Sequence, residues 1–158
     1  MDVERDGNAW VVSSSGRRIQ VLLVEDDPGD ALMIREAFEQ HDITHDLHHV
    51  ADGVEAIAFL RREGEHAAAP RPDLVLLDLN LPRMDGREVL ERVKGDAGLR
   101  SIPIVVLTTS DADEDVLRAY ELHANAYVTK PVDIDRFIET VRLTDEFFLT
   151  VAKLPRRR

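Results

Sequence analysis

Acidic side chains gather at two places in this chain, and each follows a short apolar run. Glu25, Asp26 and Asp27 follow Val21-Leu22-Leu23-Val24, and Asp78 follows Leu74-Val75-Leu76-Leu77. Two later apolar runs end in other chemistry, Ile102 to Leu107 at Thr108 and Thr109, and Ala126 to Thr129 at Lys130. Carboxylates brought close together repel, and a divalent cation relieves that repulsion. A donor set of oxygen alone, without histidine or thiolate, selects a hard ion such as Mg2+. One of the carboxylates is then able to attack phosphorus and form an aspartyl phosphate. A lysine and the metal would offset charge on the transferring oxygens, and the Thr108 hydroxyl would donate to one of them afterwards.

Those residues need a frame that brings them together, and the chain predicts one. Apolar runs that end in acid suit buried parallel strands. Between them lie helical patterns. Asp27-Pro28-Gly29-Asp30 turns into a first helix with Ala31, Ile34, Ala37 and Phe38 at helical spacing. A weaker strand at 46–50 follows, and Asp52-Gly53 opens a second helix with Val54, Ile57 and Leu60 inward. Gly64 to Pro72 reads as a surface loop. After the Asp78 strand, Asn80 to Gly86 reads as a loop, and a third helix places Val89, Leu90 and Val93 on one face. A fourth strand spans Ile102 to Leu107, a fourth helix Ala112 to Leu122, and a fifth strand Ala126 to Thr129. A fifth helix starts at Asp133 and runs toward Val151. Five strand–helix alternations imply an α/β fold with a five-stranded parallel sheet covered on both faces. In such sheets ligands bind beyond the carboxyl ends of the strands, where Glu25, Asp26, Asp78, Thr108 and Lys130 all fall.

The 158 residues are enough for one domain with a sizeable core. The expected division is a mobile tail at 1–18, in which Trp10, Val11 and Val12 are the one candidate strand, a domain at 19–152, and a basic tail at 153–158. A net charge of −11 disfavours nucleic acid and anionic membrane as partners, and Arg156 to Arg158 do not reverse it. The absence of cysteine excludes disulfides, thiolate metal sites and thiol nucleophiles. No bilayer-length apolar run and no cleavable leader are apparent, so the expected location is the cytoplasm. Only three lysines occur, Lys94, Lys130 and Lys153, which singles each of them out. His41, His45, His48 and His49 cluster around the second strand. They read as solvated edge residues away from the acidic rim.

Four segments together resemble a known family. Leu23-Val24-Glu25-Asp26-Asp27, Leu77 to Gly86, Leu107-Thr108-Thr109-Ser110 and Thr129-Lys130-Pro131 resemble the motifs of response-regulator receiver domains. Thr108 lies 30 and Lys130 lies 52 residues after Asp78, as in that family. The resemblance covers about residues 19–143. It implies a flavodoxin-like doubly wound (βα)5 fold with strand order 2-1-3-4-5. It also implies a phospho-accepting signalling switch rather than a turnover enzyme. Asp78 resembles the phospho-accepting aspartate. Asp26 resembles the direct Mg2+ ligand, Glu25 its acidic partner, and Asn80 the donor of a backbone carbonyl to the metal. Lys130 would pair with the carboxylate and then the phosphoryl group. Thr108 resembles the switch hydroxyl, and Tyr127 the aromatic that turns inward with it.

The C-terminal region resembles the stand-alone regulators that partner phytochromes and related sensor histidine kinases. Phe147, Phe148 and Leu149 exceed the apolar needs of a minimal receiver, and a dimer or partner surface is the expectation there. After the fifth helix the remaining tail is too short for an output module. Three rivals fit less well. A haloacid-dehalogenase-type phosphatase requires an acid where Asn80 stands. A constitutive, unphosphorylated adaptor has no need of the full motif set. A flavodoxin-like cofactor binder requires a Ser, Thr and Gly-rich loop where Glu25-Asp26-Asp27 stands.

Overall fold

The computed structural model describes residues 4–6, 9–11, 18–40, 45–108, 121–129 and 139. Its strands are β1 (Glu4–Asp6), β2 (Ala9–Val11), β3 (Ile19–Val24), β4 (His45–Val50), β5 (Leu74–Asp78), β6 (Ile104–Thr108) and β7 (Ala126–Thr129). Its helices are α1 (Pro28–Gln40), α2 (Gly53–Arg61) and α3 (Gly86–Lys94). The expected fourth and fifth helices fall almost entirely outside the described residues, as do Lys130, Phe147, Phe148, Leu149 and His41.

The main sheet has five strands in the order β4-β3-β5-β6-β7, and every neighbouring pair is parallel. Counted within this sheet alone, that is the order 2-1-3-4-5. Parallel strands covered on both faces need apolar residues at every position. β5 comes close to that demand: all five of its residues are buried, and only the last, Asp78, is polar. Alternate residues feed two cores. Leu22, Val24, Val75, Leu77, Ile104 and Val106 pack with α2 and α3. Val21, Leu23, Leu74, Leu76, Val105 and Leu107 pack with the α1 residues Ala31, Ile34, Ala37 and Phe38. β4 lies at the edge and is only half-buried along most of its length.

The helices start on side-chain caps. Asp27 Oδ1 accepts from the amides of Gly29 (2.8 Å) and Asp30 (3.1 Å) ahead of α1, and Pro28 occupies the first helical position, where no N–H is required. Asp52 caps α2 through Glu55 N (2.8 Å), and Asp85 caps α3 through Arg87 N (2.7 Å). α2 ends in the left-handed Arg62, whose N–H reaches Phe59 O while Glu63 N–H reaches Ala58 O.

Several expectations shift. Val54 is 36% exposed, not inward; Ala56, Ile57, Phe59 and Leu60 form the buried face of α2. Val54 shares its row on the helix with Ala58 and Arg61, neither of which is buried. The fourth sheet strand begins at Ile104, not Ile102, because Pro103 has no N–H for the ladder; Ile102 is buried in the lead-in. The 64–72 loop contains one 3-10 turn at Gly64–His66. Ahead of the main sheet, β1 and β2 pair antiparallel with Arg5 opposite Trp10, so the stretch expected to be a tail holds a short hairpin. No helix among the described residues is long and apolar enough to cross a membrane.

Candidate functional site

Strand order decides where the acids meet. β3 runs through α1 to β4 on one side, and the chain then returns through α2 to β5 on the other. The crevice between β3 and β5 is therefore the point where the winding reverses, and there the helices diverge and leave room beyond the strand ends. Val24 pairs with Leu77 across that boundary. The next residue on each strand, Glu25 and Asp78, thus comes out abreast. Carboxylate oxygens of Glu25, Asp26 and Asp78 all lie within 4.8 Å of one another. Glu25 is fully buried, Asp78 is 5% exposed, and Asp26 faces solvent. A deep wall with one open side admits a small ion.

The donor set fits a hard divalent cation. It offers only oxygen, and three carboxylates this close repel one another unless a positive charge stands among them. Backbone amides help to hold two of the acids. Asp27 N–H donates to Glu25 Oε2 at 3.2 Å, and Asn80 N–H donates to Asp78 Oδ1 at 3.0 Å. Asn80 is exposed at the start of the loop after β5, so its backbone runs along the mouth of the cluster.

The other sequence-predicted residues are reached only in part. Asp78 pairs with Leu107 in the ladder, and Thr108 pairs with Thr129. The backbones of Thr108 and of the residue before Lys130 therefore end on the same rim as Asp78. The side chain of Thr108 lies outside the described part. Tyr127 is half-buried, packs against the α2/α3 core and pairs with Val106, two residues before Thr108.

The structure adds contacts the sequence did not announce. His49 was expected to lie away from the rim, yet its Nε2 is 2.7 Å from the carbonyl oxygen of Glu25. The parallel pairing of β3 with β4 sets Leu23 opposite His49, which brings the ring beside the turn that follows β3. Two other histidines are packed rather than solvated. His45 lies 5.0 Å from the Phe38 ring, and His48 lies 5.4 Å from the Phe59 ring with its Nε2 2.8 Å from Gln20 Oε1. Nearby, hydrogen bonds from Gln20 and Arg18 hold the Asp46 carboxyl below its usual range. Lys94, on α3 away from the rim, donates to the carbonyls of Arg100 and Ile102 at 3.0 Å each, and burial lowers its pKa from 10.5 to about 8.

A five-stranded parallel sheet wound in this order, with three acids at its switch point, defines the class, and comparison with known proteins agrees. The family profile of the response regulator receiver domain matches residues 21–142, and the chain belongs to that family. Response regulator Rcp1 of Synechocystis sp. (strain ATCC 27184 / PCC 6803 / Kazusa) is 44% identical over 135 residues, 85% of this chain and 92% of that protein. Among solved structures, the phosphorylated cyanobacterial phytochrome response regulator RcpA is similar at 46% identity, with a TM-score of 0.76 over 87% of this chain and 99% of that one. The Mn(2+)-bound form of Rcp1 is similar at 44% identity and a TM-score of 0.74, again over 87% and 99%.

Proposed function

We propose that this chain is a single-domain response regulator whose Asp78 accepts a phosphoryl group from a sensor histidine kinase of phytochrome type. The observation that carries the reading is the convergence of Glu25, Asp26 and Asp78 within 4.8 Å at the switch point of the sheet. The similarity to a phosphorylated relative and to a Mn2+-bound one supports it.

The roles follow from position. Asp78 is the nucleophile: its carboxylate attacks phosphorus in line, and the bond to the donor nitrogen breaks as the new O–P bond forms. The Asn80 amide restrains one carboxylate oxygen and so limits its rotation. Asp26 and Asp78 would ligate Mg2+ directly, Glu25 would hold it through water, and Asn80 would add its backbone carbonyl. When bound, the ion would neutralise charge on the phosphoryl oxygens. Lys130 would pair with the same oxygens, and Thr108 would donate to one of them and draw the loop after β6 inward, with Tyr127 following. The outcome is a shift between two conformations that differ in partner affinity. Its only covalent chemistry is its own phosphorylation and dephosphorylation. The reading places it in the cytoplasm, and Phe147, Phe148 and Leu149 contribute to a homodimer surface.

Incubation with acetyl phosphate and Mg2+, followed by intact-mass measurement, tests this. Wild type gains the mass of one phosphoryl group; Asp78→Asn, or wild type with chelator, gains none. An equal gain in Asp78→Asn would refute the assignment.

A further inference from the structure

The loop between Asp78 and α3 is fastened to the start of α2. Arg83 sits at its tip with φ of 67°, a left-handed conformation that side-chain-bearing residues seldom adopt. From there its Nη1 donates to Asp52 Oδ2 at 3.3 Å. Asp52 is buried, and its other oxygen already caps α2. The neighbouring residues make a second fastening. A Cβ on Gly53 would lie 2.2 Å from the Met84 carbonyl oxygen, so the two segments touch backbone to backbone. At its base the loop closes on itself, with Gly86 N–H donating to Leu79 O at 2.9 Å.

Resting on the cation-site reading above, we propose that Asp52 and Arg83 form a latch that sets the path of the loop carrying Asn80, and are therefore positioning residues for the divalent cation. A ligand supplied by backbone has no rotamer with which to adjust. Its place depends wholly on the course of its loop, as other metal ligands depend on the groups behind them. Arg83 is largely exposed, and pairs of that kind contribute little to global stability. An arginine in a left-handed conformation also costs backbone energy that glycine would not. Its contribution is thus expected in geometry at the rim, not in the fold.

The sign of the effect distinguishes this from plain electrostatics. Deleting a positive charge near a cation site, with nothing else changed, tightens cation binding. Deleting a latch loosens it. The test is Mn2+ titration calorimetry on the full chain as wild type, Arg83→Gln, Arg83→Gly, Asp52→Asn and the double variant D52N/R83Q, with a thermal melt of each. Asn keeps the helix cap, so Asp52→Asn removes only the charge that Arg83 reads. Arg83→Gln and Arg83→Gly are expected to weaken Mn2+ binding about tenfold, the low end for groups behind the ligands. The double variant is expected to bind no worse than the weaker single one, and Arg83→Gly to melt no lower than wild type. Arg83→Lys should recover part of the loss. Binding by Arg83→Gln as tight as wild type, or tighter, overturns the latch while leaving the cation site standing. Failure of wild type itself to bind Mn2+ overturns both.

Discussion

Asp78 and the lysines show how far a single side chain can be read from sequence. The acids were legible because each closes an apolar run, and burial of the run forces its end to the rim. Lys94 was singled out only by the rarity of lysine here. Its environment, two carbonyl acceptors and partial burial, depends on how the turn after α3 folds back, which no local pattern encodes. That environment carries a pH dependence. The folded-state pKa of about 8 lies below the usual 10.5. Between these values the unfolded chain binds more protons than the folded one, so the Lys94 contribution raises stability as pH climbs from about 8 toward 10.5 and is flat below. After allowance for solvent screening the gain is about 2 kcal/mol. Urea denaturation at pH 8 and pH 10 should show it as a difference between wild type and Lys94→Met; equal pH profiles for the two would contradict it. The place of His49 is hidden from sequence for a similar reason. Its contact with the Glu25 carbonyl follows from strand register, and a lone edge histidine gives no sign of register.

At the scale of elements, caps and apolar spacing were readable and closely packed glycines were not. The α1 and α3 faces match their spacing. Val54 differs because its spacing to Ile57 and Leu60 fits an inward row as well as its spacing to Ala58 and Arg61 fits an outward one, and the structure takes the second. Gly86 was visible as a loop residue, yet its tightest constraint comes from another element: a Cβ there would lie 2.2 Å from the Asp78 carbonyl oxygen and 2.6 Å from Leu79 Cα. Neither is the movable end of a side chain. Gly86→Ala is expected to destabilise the fold by about 1–3 kcal/mol, the usual range for overpacking, and to slow phosphoryl acceptance because the displaced atoms belong to Asp78 itself. Chemical denaturation and the rate of mass gain with acetyl phosphate measure the two effects. A variant that is destabilised but accepts phosphoryl at the wild-type rate would show that the contact matters to the fold alone.

For the whole molecule, alternation of strands and helices announced a parallel sheet, while the strand order came from family resemblance and was then found in the coordinates. That order makes the function possible, since it opens the crevice between β3 and β5 with acids on both sides. The short hairpin of β1 and β2 was harder to anticipate, because three-residue strands leave too little pattern to count. The proposed association of two copies belongs to this scale, and light scattering on the full chain tests the role proposed for the Phe147–Leu149 segment. Wild type should show the dimer mass and Phe148→Asp the monomer mass; a monomer in both would remove the dimer. The claim beneath all of this is that two strands deliver their acids to one hard cation. Anomalous diffraction from a crystal soaked in Mn2+ addresses it directly. The predicted result is a single strong peak at coordinating distance from the Asp26 and Asp78 carboxylates and the Asn80 carbonyl, with Glu25 one water away. A crystal in which that position is empty while Mn2+ occupies another site would contradict it.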